Sequence, residues 1–260
     1  MQRNVTMHAN PRTPRACFII IGNEILSGRT QDVNLAYLAK MLGDLGISLK
    51  EVRVIPDVER TIVLAVNNLR GEFDYVFTSG GIGPTHDDIT SASIAKAFGV
   101  KLFRDPQAVR LLEDHYRGTA HELNEARLKM ADIPEGASLI NNPVSRAPGF
   151  KIGNVYVLAG VPKIFQAMVD GLKGELKGGP PILSETVSCN LPEGRIAAGL
   201  AAIQSHYGEV EIGSYPYFRA GQFGTSLVLR SCDQAALSKA TAEVAELIRV
   251  LEGRGGIPDV

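Results

Sequence analysis

The feature that most constrains this chain is the run Thr78-Ser79-Gly80-Gly81-Ile82-Gly83-Pro84-Thr85-His86-Asp87-Asp88-Ile89-Thr90. It follows the apolar stretch Tyr75, Val76 and Phe77 and leads into a helical pattern over residues 89–98. A buried strand that bends through glycines into a helix is the heart of a β-α unit, and open α/β sheets bind ligands outside the carboxyl ends of such strands. Glycines there let main-chain N–H groups approach phosphate oxygens with no Cβ in the way. The competing reading is a plain turn, with glycines supplying positive φ and Asp88 capping the helix. Three glycines, a proline and two adjacent carboxylates in one turn favour a ligand loop, with Gly80, Gly81, Gly83, Pro84 and Thr85 as candidate contacts.

The adjacent carboxylates add chemistry. Asp87 and Asp88 can hold a hard divalent cation that bridges to a diphosphate, or one of them can serve as base or acceptor for the ligand's polar head. Their spacing leaves both open. His86 reads as a loop residue.

The surrounding pattern tells what kind of sheet carries the loop. Residues 16–21 are a short apolar run, and Leu35, Leu38, Leu42 and Leu45 recur at helical spacing. Residues 49–55 then read as a strand, 58–69 as a helix and 155–158 as a further strand. Such alternation predicts an α/β fold, a three-layer α/β/α domain with a mostly parallel sheet. Gly99 stops the helix that follows the glycine loop, two amphipathic helices are expected over 106–117 and 121–131, and residues 134–149 are turn-rich. Residues 173–181, rich in Gly, Lys and Pro, read as a linker. Beyond it the order is strand (183–189), helix (195–206), strand (210–215), strand (225–230) and helix (234–251), which predicts a small two-layer α+β unit. The expected organisation is therefore a flexible tail over 1–15, a ligand-binding domain over 16–175 and a small subdomain over 182–252.

A second loop, Gly22-Asn23-Glu24-Ile25-Leu26-Ser27-Gly28-Arg29-Thr30-Gln31-Asp32-Val33-Asn34, also follows a predicted strand. Parallel strands bring such loops to one rim, so Gly22, Glu24 and Asn34 are expected near Asp88, with Thr90 at the end of the glycine loop. The bland alternative is a surface turn in which Asp32 or Asn34 starts the next helix. Asp57 lies at another strand-to-helix junction and suits an N-cap equally well.

Composition removes other classes. With 27 Lys and Arg against 28 Asp and Glu, the chain has no whole-protein positive field, and nucleic acid is not an expected partner. No run approaches the roughly 20 apolar residues a membrane span requires, so no membrane partner is expected. Three widely separated cysteines argue against a disulfide framework and suit a reducing, cytoplasmic setting. The fingerprints of P-loop and Rossmann sites, zinc ribbons and serine hydrolases are absent. Gly221-Gln222-Phe223-Gly224 matches the G-x-x-G of KH domains, but it joins two predicted strands and reads as a hairpin turn.

The glycine loop, Gly22 to Gly28, Ile55-Pro56-Asp57, Asn142-Pro143-Val144-Ser145-Arg146-Ala147-Pro148-Gly149-Phe150 and Leu158-Ala159-Gly160-Val161-Pro162 together resemble the MoaB/Mog molybdopterin-binding superfamily. The match is strongest to the amino-terminal domain of CinA-type proteins and to the similar domain of FAD synthases, and it covers residues 16 to about 175. The resemblance implies a ligand that is molybdopterin, its adenylated form or an adenine nucleotide diphosphate. It also implies metal-dependent hydrolysis of the diphosphate in ADP-ribose or FAD, with a non-catalytic molybdopterin-binding role as the alternative. Residue by residue it makes Gly80, Gly81 and Gly83 the phosphate cradle, Asp88 and Asp57 the acidic catalytic positions, and Asp87 with Asp88 the metal pair. It further implies a KH-like subdomain over 182–252 and a homo-oligomer, dimer or trimer. Asn23, where the family often has Thr, and Ala159-Gly160, where it often has Pro-Gly, depart from the pattern.

Overall fold

A computed structural model describes residues 13–219 and 221–253. The chain divides into two compact units between Gly179 and Pro180. Most of the expected amino-terminal tail, residues 1–12, lies outside the described residues, and Arg15 already begins the first strand.

The first unit runs β1 (Arg15–Ile21), α1 (Asn23–Leu26), α2 (Asn34–Asp44), β2 (Ser48–Ile55), α3 (Glu59–Leu69), β3 (Tyr75–Ser79), α4 (Thr90–Phe98), β4 (Leu102–Arg104) and α5 (Pro106–Tyr116). It continues with α6 (Glu125–Leu128), a 3-10 turn (Lys129–Ala131), β5 (Asp132–Pro134), β6 (Ser138–Ile140), β7 (Gly149–Ile152), β8 (Val155–Leu158) and α7 (Pro162–Leu172). Six strands form one sheet in the order β2-β1-β3-β8-β7-β6. The four strands from β2 to β8 are mutually parallel, and β7 and β6 add an antiparallel edge.

The apolar run of β1 is explained by burial on both faces, because successive side chains point to opposite sides of the sheet. Cys17, Ile19 and Ile21 pack with Ile62, Val66 and Ile94 of α3 and α4. Ala16, Phe18 and Ile20 pack with Leu38, Leu42, Phe165 and Met168 of α2 and α7. These are the two helical layers of an α/β/α sandwich. Burial pushes the Cys17 thiol up to about 12, which leaves it an inert core residue.

The expected helix over 121–131 shrinks to Glu125–Leu128 and the 3-10 turn. Its sequel must straighten, because Leu102–Arg104 pairs antiparallel with Asp132–Pro134. The helix itself starts late because Asn124 caps it, its Oδ1 accepting the Arg127 N–H at 3.1 Å. The stretch read as a linker is held to the first unit as far as Gly179. The Tyr75 hydroxyl donates to Lys177 O at 3.0 Å and the Gly179 N–H donates to Gly46 O at 3.2 Å.

Gly99 ends α4 at φ 66, with nothing within 4 Å of where a Cβ would stand. Gly99→Ala is therefore expected to cost about 1 kcal/mol through backbone strain alone, read as a lower urea midpoint at unchanged slope.

The second unit runs β9 (Leu183–Cys189), α8 (Glu193–His206), β10 (Glu211–Arg219), β11 (Gln222–Ser231) and α9 (Gln234–Gly253). Its antiparallel sheet has the order β10-β11-β9, and Leu227 and Leu229 share a core with Ile196 and Val244 of the helices. Gly221, at φ 80, turns a hairpin, and Gln222 to Gly224 already belong to β11. The G-x-x-G match therefore lies in a hairpin and not between helices. All three cysteines are free. Among the described residues no helix is long and apolar enough to cross a membrane.

Candidate functional site

A hollow of about 470 Å³ opens at the carboxyl ends of the parallel strands, within the size range of small-molecule sites. The loop after β1 supplies Glu24 and Thr30, the loop after β3 supplies Gly80 to Pro84 and Asp88, and the loop after β8 supplies Ala159 to Pro162. Asn142, Ser145 and Ala147 close a further side.

The glycine loop is shaped by close approach. A Cβ on Gly80 (φ 99) would strike the Ile21 carbonyl oxygen, and one on Gly81 (φ 69) would strike the Thr90 hydroxyl. Only glycine fits either position. Thr90 is fully buried and fastens the loop: its hydroxyl donates to Gly80 O at 3.0 Å and its N–H to Gly81 O at 2.9 Å. It does not line the hollow, so it holds the cradle from behind.

Asp88 does not cap α4, which begins after Ile89 without a side-chain cap. Its Oδ2 instead accepts the Thr85 N–H at 2.8 Å and the Thr85 hydroxyl. A Cβ on Gly83 would lie 2.7 Å from that same oxygen, so glycine keeps room for the carboxylate at the wall. Lys129 clamps the loop from outside, its ammonium donating to Thr85 O at 2.6 Å. Thr85 thus ties the loop together and is not itself in the wall.

Asp87 points elsewhere. Its side chain is 63% exposed and does not line the hollow, and the His86 beside it is 99% exposed. The Thr85 hydroxyl lies close enough to hold the Asp87 carboxyl below its ordinary range, helped by its own N–H and by His86 and Lys129. The pair expected to share one ion is split by the turn.

The other acidic candidate, Asp57, is engaged by a neighbouring loop. Its Oδ2 accepts the Asn23 N–H at 2.8 Å, tying the end of β2 to the loop after β1. It neither caps α3, which has no side-chain cap, nor lines the hollow. Asn34, only 3% exposed, donates through Nδ2 to Gly160 O at 2.8 Å and so links α2 to the loop after β8. Its Oδ1 is buried and without a partner among the described residues. Asp32 takes the capping role, accepting the Leu35 N–H at 2.8 Å. Gly22 leaves space for the Glu24 carboxylate, which would lie 2.6 Å from a Cβ there.

The structure therefore brings Gly80, Gly81, Gly83, Pro84, Glu24 and Asp88 together and places Gly22, Asn34, Asp57, Thr85 and Thr90 behind them as fasteners. It also adds an apolar wall of Met130, Val161, Pro162 and Ile164 that residue type alone did not mark as functional. The polar side around Asn142 is built by that residue's amide. Its Oδ1 accepts the Val144 and Ser145 N–H groups and its Nδ2 donates to Ser145 Oγ and Ala147 O. Among the described residues no trio of His, Cys, Asp or Glu is placed to hold a metal ion.

A mostly parallel sheet ending in a glycine cradle, two carboxylates and an apolar wall defines a small-molecule-binding α/β domain. Residues 17–178 match the family model described as "Probable molybdopterin binding domain", and residues 181–251 match "FAD synthase, middle domain". The chain belongs to the molybdopterin-binding domain family, in its CinA-type branch, with the FAD synthase middle domain behind it. It is 33% identical to a protein of Pyrobaculum aerophilum, over 92% of this chain and 96% of that one. It is 33% identical to a "Probable FAD synthase" of Caenorhabditis elegans, over 93% of this chain but only 52% of that protein. A solved structure of CinA from Thermoplasma acidophilum, described as of unknown function, is 36% identical with a TM-score of 0.58, covering 63% of this chain and 98% of that one.

Proposed function

We propose that the hollow binds a diphosphate-bearing adenine nucleotide or pterin, and that the chain hydrolyses the diphosphate of ADP-ribose or a similar molecule with a divalent ion. The observation that supports this best is that the Gly80–Gly83 main chain and the Asp88 carboxylate share one wall. Backbone amides suit phosphate oxygens, and the apolar wall of Val161, Pro162 and Ile164 suits a flat heterocycle.

The donor set fits a hard cation in one way only. Asp88 and Glu24 are the carboxylates in the wall, and Mg²⁺ is commonly held by one or two carboxylates while water and substrate phosphates complete its shell. A closed three-ligand site does not fit. The ion would supply charge neutralisation at the diphosphate and an activated water. Asp88 would orient it, with Thr85 and Lys129 keeping that carboxylate in place. In this reading Asp57 acts as a positioning residue and Asp87 lies outside the ion's shell.

The test is direct: with Mg²⁺ or Mn²⁺, purified protein should convert ADP-ribose to AMP and ribose 5-phosphate, and chelation should abolish turnover. The second reading is a molybdopterin-binding protein without turnover, favoured by the apolar wall and by the lack, among the described residues, of a third side chain placed to hold a metal ion. A tightly bound pterin in mass spectra of the native protein, with no hydrolysis under any metal, would select it. The proposed setting is the cytoplasm, where free thiols persist, and the proposed working form is a homo-oligomer, which sedimentation reads.

A further inference from the structure

The wall of the hollow holds two carboxylates and no Lys or Arg, an unfavourable floor for a polyanion unless positive charge comes from elsewhere. Three cations stand beside the wall in the chain. Arg29 adjoins Thr30, Arg146 lies between Ser145 and Ala147, and Lys163 lies between Pro162 and Ile164; all five neighbours line the hollow. Two come from separate loops and Lys163 from the first turn of α7, and all are exposed. Among the described residues no hydrogen bond or ion pair engages any of their charged groups. Many other cations of the first unit are engaged, as Arg53 is with Glu51, Arg104 with Glu125 and Asp132, and Lys173 with Asp170.

Two of the three also occupy positions that local energetics disfavour. Arg146 is the one non-glycine residue with positive φ among the described residues, at 61°, a conformation that L side chains avoid. It is held there by the Asn142 turn, whose carbonyl accepts the Arg146 N–H at 3.1 Å. Such strain persists only where the surroundings impose it, and it collects at binding sites. Lys163 sits in the first turn of α7, where no acidic residue or side-chain cap is present and where the helix dipole opposes a cation. A bound anion reverses the sign of that penalty.

We propose that Arg29, Arg146 and Lys163 form a cationic collar around the hollow that binds the second phosphate of a diphosphate ligand, with Arg146 as its principal contact. The collar rests on the reading of the hollow as a diphosphate site and adds what the glycine cradle lacks, a counter-charge for the ligand's far end. Arginine suits this task because its guanidinium meets phosphate through two parallel hydrogen bonds. Selectivity for diphosphates over monophosphates then comes from the rim, while the cradle takes the first phosphate.

Calorimetric titration with ADP-ribose, AMP and inorganic pyrophosphate tests this on the full chain. Arg146→Gly relieves the backbone and removes the charge, and it is expected to fold at least as stably as the natural chain. Arg146→Gln keeps the backbone strain and removes only the charge, which guards against a folding artefact. Both should bind ADP-ribose and pyrophosphate about tenfold more weakly, as expected for one lost charged hydrogen-bonding partner, with AMP affinity little changed. The gap should narrow as salt is raised, since exposed charges are screened. Natural affinity for ADP-ribose in both variants would overturn the collar while leaving the cradle intact. A natural chain that binds no phosphate-bearing probe would overturn the reading of the hollow and the collar with it.

Discussion

Gly80→Ala is expected to lower the stability of the first unit by about 3 kcal/mol and to abolish ligand binding with it. Two penalties add. The backbone at φ 99 lies outside the range an alanine accepts comfortably, and the new Cβ would meet the Ile21 carbonyl oxygen. That oxygen terminates β1, a strand buried on both faces and paired with β2 and β3, so it cannot step aside as a flexible side chain would. Gly99→Ala is the control, because it shares the positive φ but faces open space. Urea unfolding of both variants separates strain from collision. A Gly80→Ala chain no less stable than Gly99→Ala would show that the glycine loop does not press against β1 as described.

Asp88→Asn is expected to reduce turnover of ADP-ribose by roughly 10²-fold while changing stability by less than about 1 kcal/mol. Asparagine keeps an oxygen able to accept the Thr85 N–H now held at 2.8 Å, so the turn should survive and only the charge is lost. The matching change Asp87→Asn should leave turnover within a few-fold, since that carboxylate is exposed and outside the wall. Measuring kcat and KM for both variants at saturating metal decides between them. A larger loss from Asp87→Asn than from Asp88→Asn would reverse the assignment of the two aspartates.

Much of this was legible in the chain. The buried strand before Gly80, the Leu spacing over 35–45 and the apolar run at residues 16–21 carry periodicities that depend on near neighbours, and they emerge as β3, α2 and β1. The glycine loop was legible for the same reason: positive φ and close approach are demands on single residues. The helix expected over 121–131 starts only at Glu125, because the Asn124 side chain caps it there, and its last turn tightens to 3-10 before β5 begins, an N-cap that the helical spacing passed over.

The roles of the acidic and polar residues were the less legible part. Asp57, Asp87 and Asp88 are chemically identical acceptors, and sequence placed all three at ends of β-α units. One accepts a neighbouring loop's N–H, one faces solvent and one stands at the wall. Thr90 and Asn34, read as ligand contacts, spend their donors on carbonyls of Gly80 and Gly160. The sequence alone determined the alternating fold, the loop that only glycine can form and the family to which both belong, because each is written in local spacing and residue size. Which loops meet, and whether a carboxylate turns toward a guest or toward a neighbouring amide, was decided only by the tertiary structure. Strand order brings together residues far apart in the chain, and an acceptor oxygen serves either partner equally well.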